Sequence, residues 1–174
     1  MKYFEFPYID KWREILARPS SAGEDLRPLC EPVFTNVAQR GDSAVKEYVE
    51  RFDRVKLDSL QVSDVELAKA ESEVSDELKE ALSEAYANIE RFHAAQRVGR
   101  VAVTNGPGID CWQEYRAIER VGLYIPGGSA PLFSTVLMLA IPAKLAGCSE
   151  IVLCTPSNSD GIVNPAILYA AKLC

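Results

Sequence analysis

Residues 121 to 148 constrain the fold of this chain more than any other stretch. A short apolar strand, Val121 to Ile125, expected to be buried like the second apolar strand below, breaks at Pro126 and passes through Gly127-Gly128-Ser129. The chain then re-enters an apolar run too long for a strand, which predicts a helix from Ser134 to Ala146, bent at Pro142 and stopped by Gly147. A second apolar strand follows from Ile151 to Cys154, and Asn164-Pro165 opens another helix, with asparagine as its cap and proline in its first turn. Strand, helix, strand, helix implies a parallel βαβ unit, because parallel neighbours need a crossover between them. A glycine turn between strand and helix brings backbone amides and a helix N-terminus against a bound anion.

Charge is distributed unevenly along the chain. Residues 121–174 hold only Lys144, Glu150, Asp160 and Lys172, while the other 40 of the 44 charged residues precede them. A soluble surface is normally about a quarter to a third charged, so the last 54 residues lack an ordinary solvated exterior. They are expected to be covered by residues 1–120, by another subunit or by sequence beyond Cys174. The shift places a lobe boundary near residue 120. The fold class is α/β: residues 1–120 form a mainly helical region with a hairpin, and residues 121–174 begin a Rossmann-like parallel sheet (βαβα) of a nucleotide-binding domain that stops inside its last helix, so a longer protein is expected.

Within the first 120 residues the signals are mostly helical. Asp10 to Ala17 reads as a short helix closed by Pro19, Ser20 to Glu24 as a loop, and Leu26 to Gln39 as a helix ended by Gly41. Asp42 is an N-cap candidate for a helix through Phe52. Ser63-Asp-Val-Glu66 is a capping box opening a helix to about Glu73. Ser75 or Asp76 caps the longest helix, to about Arg97, whose stripe of Leu78, Leu82, Ala85, Ile89 and Phe92 predicts one buried face. Val101 to Thr104 and Ile109 to Tyr115, joined by Asn105-Gly-Pro-Gly108, read as a β-hairpin.

Composition removes several function classes. With 19 basic and 25 acidic residues the net charge is −6, which argues against a nucleic-acid partner. The most apolar run, Leu132 to Ala143, contains Pro142, stops at Lys144 and falls short of the ~18 residues of a membrane span. The N-terminus lacks a secretory h-region. Five scattered cysteines, Cys30, Cys111, Cys148, Cys154 and Cys174, read as reduced, mostly buried side chains of a cytoplasmic protein.

Candidate site residues follow from the glycine loop. Tyr124 ends the first strand of the parallel unit, where open sheets bind ligands, and reads either as a core aromatic or as a ligand contact. Gly127, Gly128 and Ser129 offer backbone amides and a hydroxyl to a pyrophosphate, although the loop is not GxGxxG. No acidic residue stands at the ~20-residue spacing of ribose recognition at the end of a second strand; Glu150 is close in spacing but precedes that strand. His93 is the only histidine and reads as structural. Cys148 and Cys154 suit a thiol nucleophile chemically, but their apolar setting reads as packing. The carboxylates from Glu66 to Glu84 read as a solvated helix face partnered by Lys69 and Lys79.

Several motifs in order resemble one family. Arg40-Gly-Asp-Ser-Ala, Tyr48-Val-Glu-Arg-Phe-Asp53, Ala87-Asn-Ile-Glu-Arg-Phe-His-Ala-Ala-Gln-Arg97, Tyr115-Arg-Ala-Ile-Glu-Arg-Val-Gly122, the glycine loop and Glu150-Ile-Val-Leu-Cys-Thr-Pro156 are similar to histidinol dehydrogenase. The resemblance implies a homodimeric enzyme that oxidises L-histidinol to L-histidine with NAD, in histidine biosynthesis. It places an NAD-contacting tyrosine at Tyr124. It also implies a zinc ion held by two histidines, an aspartate and a glutamine, and a Glu-His acid-base pair. One histidine cannot fill these roles, so catalytic residues and zinc ligands are expected after Cys174, and this chain alone is expected to be inactive. The alternative is a non-catalytic folding or dimerisation module with a partial nucleotide contact.

Overall fold

The computed structural model describes residues 3–17, 25–127 and 130–174. Packing divides the chain into two units, Met1–Ala44 and Val45–Cys174. The first carries α1 (Ile9–Ile15) and α2 (Arg27–Arg40), neither of which buries a residue. Pro28 sits in the first turn of α2, where its missing N–H costs nothing, and Pro32 lies inside the helix. Gly41 ends α2 with φ 58°, in a backbone region open mainly to glycine. Asp42 is the first residue of α3 (Asp42–Phe52) rather than the cap before it.

The second unit is built on α4 (Asp64–Glu73), α5 (Asp76–Ala94), the hairpin β1–β2 (Val101–Gly106, Ile109–Gln113), β3 (Arg120–Tyr124), α6 (Phe133–Ala146), β4 (Glu150–Cys154) and α7 (Pro165–Leu173). Local chemistry sets the helix starts. The Glu66 N–H donates to Ser63 Oγ at 3.3 Å while the Ser63 N–H donates to Glu66 Oε2 at 2.8 Å, the reciprocal box expected from the sequence. The Ser63 N–H bond, and then the Ser63 hydroxyl, which also donates to Glu66 Oε2 at 2.7 Å, hold the Glu66 carboxyl below the usual glutamate range. Ser75, not Asp76, caps α5 through the Leu78 N–H. At the other end of α6, Gly147 adopts φ 89° in the left-handed region and closes the helix, which runs through Pro142 to Ala146.

β3 and β4 pair in parallel, Arg120 opposite Glu150 through Tyr124 opposite Cys154, with α6 as the crossover. The expected βαβα order is therefore present in the chain. Its core gathers Leu82 of α5, Ile125 after β3, Val136, Leu137 and Ile141 of α6, and Ile167 and Ala170 of α7. α5 packs on α6, and α4 on α7, where Lys172 reaches Glu71 at 2.6 Å and lowers that carboxyl's pKa. Helices before residue 120 thus cover part of the charge-poor lobe, one of the three coverings the charge distribution allows.

Three expectations are corrected. The strands are not buried on both faces: in each, three residues are exposed and two are half-buried in strict alternation, because helices pack on one face only. Phe92 continues the sequence stripe of α5 but is 64% exposed, since the core cluster on that helix ends with Ile89. Cys30, Cys111 and Cys154 are exposed and only Cys148 and Cys174 are partly covered, so the cysteines are not mostly buried; all five are free thiols. Cys154 is exposed because its register beside Tyr124 puts both on the uncovered face.

Candidate functional site

The carboxyl ends of β3 and β4 open into a crevice of about 290 Å³. One wall is Pro126, Gly127, Ala130 and Pro131, leading into α6. Another wall is the loop Thr155–Asn158, and Ile162 to Pro165 with Ile167, at the start of α7, complete the lining. Its volume is at the low end of the ~300–1,000 Å³ of small-molecule sites, enough for part of a dinucleotide. Open parallel sheets bind ligands at this end of their strands.

Gly127 is fixed by close approach. A Cβ there would lie 2.6 Å from Pro156 Cγ, inside van der Waals contact with a ring that cannot swing away. The glycine thus lets the two strand ends converge. Gly128 and Ser129 lie outside the described residues. Tyr124 does not line the crevice, although it ends the same strand. It is 64% exposed, on the face of the sheet that no helix of this chain covers.

The two helix N-termini at the crevice differ. No side chain caps α6, whose N-cap is Leu132. At α7, Asn164 Oδ1 accepts the Ala166 N–H at 2.9 Å, Pro165 has no N–H, and the Ile167 and Leu168 N–H groups turn to the Asn164 carbonyl. The start of α6 is therefore the end suited to an anion. The loop after β4 is braced by Asn158, whose Oδ1 accepts the N–H groups of Asp160 and Ile162, both at 2.9 Å. Within the same wall, Thr155 Oγ1 and Ser157 Oγ are buried without a partner.

The other candidates lie apart from this crevice. His93 Nδ1 pairs with Gln96 Oε1 at 2.8 Å and its ring meets Phe92 edge to face. Glu150 starts β4 and binds Arg120 across the strands at 2.8 Å, at the opposite end from the crevice. Lys69 pairs with Glu73 at 3.3 Å and Lys79 with Asp76 at 3.2 Å, the solvated helix face expected. Among the described residues no three His, Cys, Asp or Glu side chains gather as a metal site, and no helix is long and apolar enough to cross a membrane. A zinc ion therefore does not fit the donor set of the described residues. The crevice, with its close-approach glycine, open helix end and unpaired hydroxyls, does fit part of a nucleotide.

Comparison with known proteins decides the family. The model of the histidinol dehydrogenase family matches residues 16–174. The chain belongs to the histidinol dehydrogenase family. It is 51% identical over 173 residues to histidinol dehydrogenase of Bacteroides thetaiotaomicron, covering 99% of this chain and 40% of that protein. It is 48% identical over 166 residues to the enzyme of Escherichia coli K12, covering 95% of this chain and 37% of that protein. The crystal structure of histidinol dehydrogenase from Elizabethkingia anophelis superposes with a TM-score of 0.89 at 47% identity, over 96% of this chain and 39% of that one. The chain thus spans about two-fifths of the length of the curated relatives it matches. The family is one of oxidoreductases of histidine biosynthesis.

The sequence reading missed the wall formed by Thr155 to Asn158. Its signal was available: Thr-Pro-Ser-Asn-Ser-Asp-Gly after a strand is a loop, and the loop after the second strand of a parallel unit faces the ligand crevice.

Proposed function

We propose that the whole protein carrying this chain oxidises L-histidinol to L-histidine in two successive NAD-dependent steps, as a cytoplasmic homodimer without nucleic-acid or membrane partners. The observation that carries this reading is the 51% identity to a histidinol dehydrogenase across 99% of the chain. It favours the enzyme over a non-catalytic folding module. Residues 121–174 then begin the NAD-binding domain, and residues 1–120 form the helical and hairpin region before it.

When bound, NAD supplies the hydride acceptor. In this reading Gly127, Gly128 and Ser129 admit its phosphates close to the backbone at the start of α6, and Tyr124 offers its exposed ring to the cofactor. Zinc would be held by residues outside 1–174, as would the acid-base pair, since the lone histidine is engaged with Gln96. This chain by itself is then inactive.

The test supplies the full-length protein with L-histidinol, NAD and zinc and follows NADH. Histidinol-dependent NADH from the full-length protein, and none from residues 1–174, is the expected result. Absence of turnover in the full-length protein would falsify the proposal.

A further inference from the structure

Resting on the nucleotide reading above, the wall formed by the loop after β4 carries a more specific assignment. Thr155 Oγ1 and Ser157 Oγ are both shielded from solvent and both lack a hydrogen-bond partner. Buried hydroxyls are normally satisfied, and a pair left open at a crevice marks a place where something else completes them. Neighbouring polar groups are already committed. Asn158 Oδ1 serves two backbone N–H groups, and Asn164 Oδ1 caps α7. Each of the two hydroxyls belongs to a residue that lines the crevice, so rotation about its Cα–Cβ bond can redirect it.

Position in the fold supplies the second argument. Dinucleotide-binding parallel sheets meet the ribose hydroxyl with a carboxylate beyond the glycine turn. Here Thr155 directly follows the last residue of β4, and no carboxylate stands there. Glu150 is at the far end of the strand and paired with Arg120. A hydroxyl can both donate to and accept from a sugar hydroxyl, as a carboxylate cannot.

We propose that the Thr155 and Ser157 hydroxyls take the place of that carboxylate and hydrogen-bond the 2′-hydroxyl of the adenosine ribose. Both are positioning and specificity residues, not groups that handle the reacting atoms.

The experiment measures NAD affinity of the full-length protein carrying Thr155→Val, Ser157→Ala, both together, and Thr155→Ser. The double variant should bind NAD about thirtyfold more weakly, the effect of roughly two lost hydrogen bonds, while Thr155→Ser retains affinity. An NAD analogue lacking the adenosine 2′-hydroxyl should bind the double variant and the unsubstituted protein alike. Unchanged NAD affinity in the double variant overturns the assignment. An equal loss for NAD and the deoxy analogue also overturns it, because shape rather than hydrogen bonding would then be at work. Failure of the unsubstituted protein to bind NAD removes the nucleotide reading itself, a result distinguishable from the other two.

Discussion

The hairpin β1–β2 and the parallel pair β3–β4 are both two-stranded, of nearly equal length, and rich in β-branched or aromatic residues, yet they are held in different ways. In the hairpin, every residue but Gly106 is exposed, and Trp112 is 58% exposed under the Arg100 guanidinium. The parallel pair rests one face on a helical layer in which Val136, Leu137 and Ile141 are fully shielded. Isolated two-stranded ribbons are marginal in water, and what stabilises such a pair is the element packed on it. Strand propensity is therefore a poor guide to where this chain's stability resides; the neighbouring helix decides.

That contrast is open to direct attack. Leu137→Ala should cost ~2–5 kcal/mol, the range for a fully buried leucine, and urea unfolding should show a lower midpoint. Trp112→Ala should cost no more than about 1 kcal/mol, because it removes an exposed ring and one cation–π contact. Comparable losses for the two would mean the hairpin is as well supported as the parallel pair. A sharper version targets the crevice. Gly127→Ala forces a methyl against Pro156 and should cost ~1–3 kcal/mol by overpacking, whereas an added Cβ at Gly122 on the exposed face meets nothing within 4 Å. Gly122→Ala should leave the unfolding midpoint in place. Equal behaviour of the two would show that the strand ends are not held together at Gly127.

How far the fold was legible follows the same division. Elements fixed by short-range chemistry were readable: the Ser63–Glu66 box, Ser75, Gly147 and the Asn164-Pro165 start appear where the sequence puts them. Each depends on hydrogen bonds or backbone angles within a few residues. Burial was less legible, because it depends on which face another element covers. Phe92 keeps the helical spacing yet lies beyond the core cluster, and Cys154 sits in an apolar strand yet on its uncovered side. The crevice was half readable. Gly127 was read as a backbone amide offered to a phosphate, whereas the close approach of Pro156, which leaves no room for a Cβ there, joins positions 29 apart, and no local pattern reports that distance.

The cap of α7 offers a smaller effect. Asn164→Ala removes the acceptor for the Ala166 N–H and should cost ~1 kcal/mol. Because that helix contributes Ile167 and Ala170 to the core beside α6, the loss should appear in global unfolding. A hairpin substitution of similar size should not show there. Hydrogen exchange checks this: amides of α7 and β3 should open together, and amides of β1 and β2 independently at lower free energy.

The smallest expected effect is electrostatic and acts through α4, the helix that packs on α7. Glu66 is held below its ordinary pKa first by the Ser63 backbone N–H and then by the Ser63 hydroxyl, and Glu71 by its hydrogen bond and charge pairing with Lys172. A folded-state pKa below the unfolded one means that the unfolded chain takes up protons first as pH falls. The stabilisation is therefore complete above the ordinary glutamate range and fades as pH drops through that range to the lowered values. Both groups are exposed, so solvent and salt screen the Glu71–Lys172 pair and the slope of stability against pH should be shallow. Glu66→Gln should reduce that acid slope at any salt concentration, since its main partners are neutral donors. Glu71→Gln should reduce it at low salt and much less at high salt. Urea midpoints measured across the acid range at two ionic strengths separate the two residues. A salt-insensitive contribution from Glu71 would mean that the contact with Lys172 holds as a hydrogen bond alone, and that charge does not help tie α4 to the helical layer beneath the parallel strands.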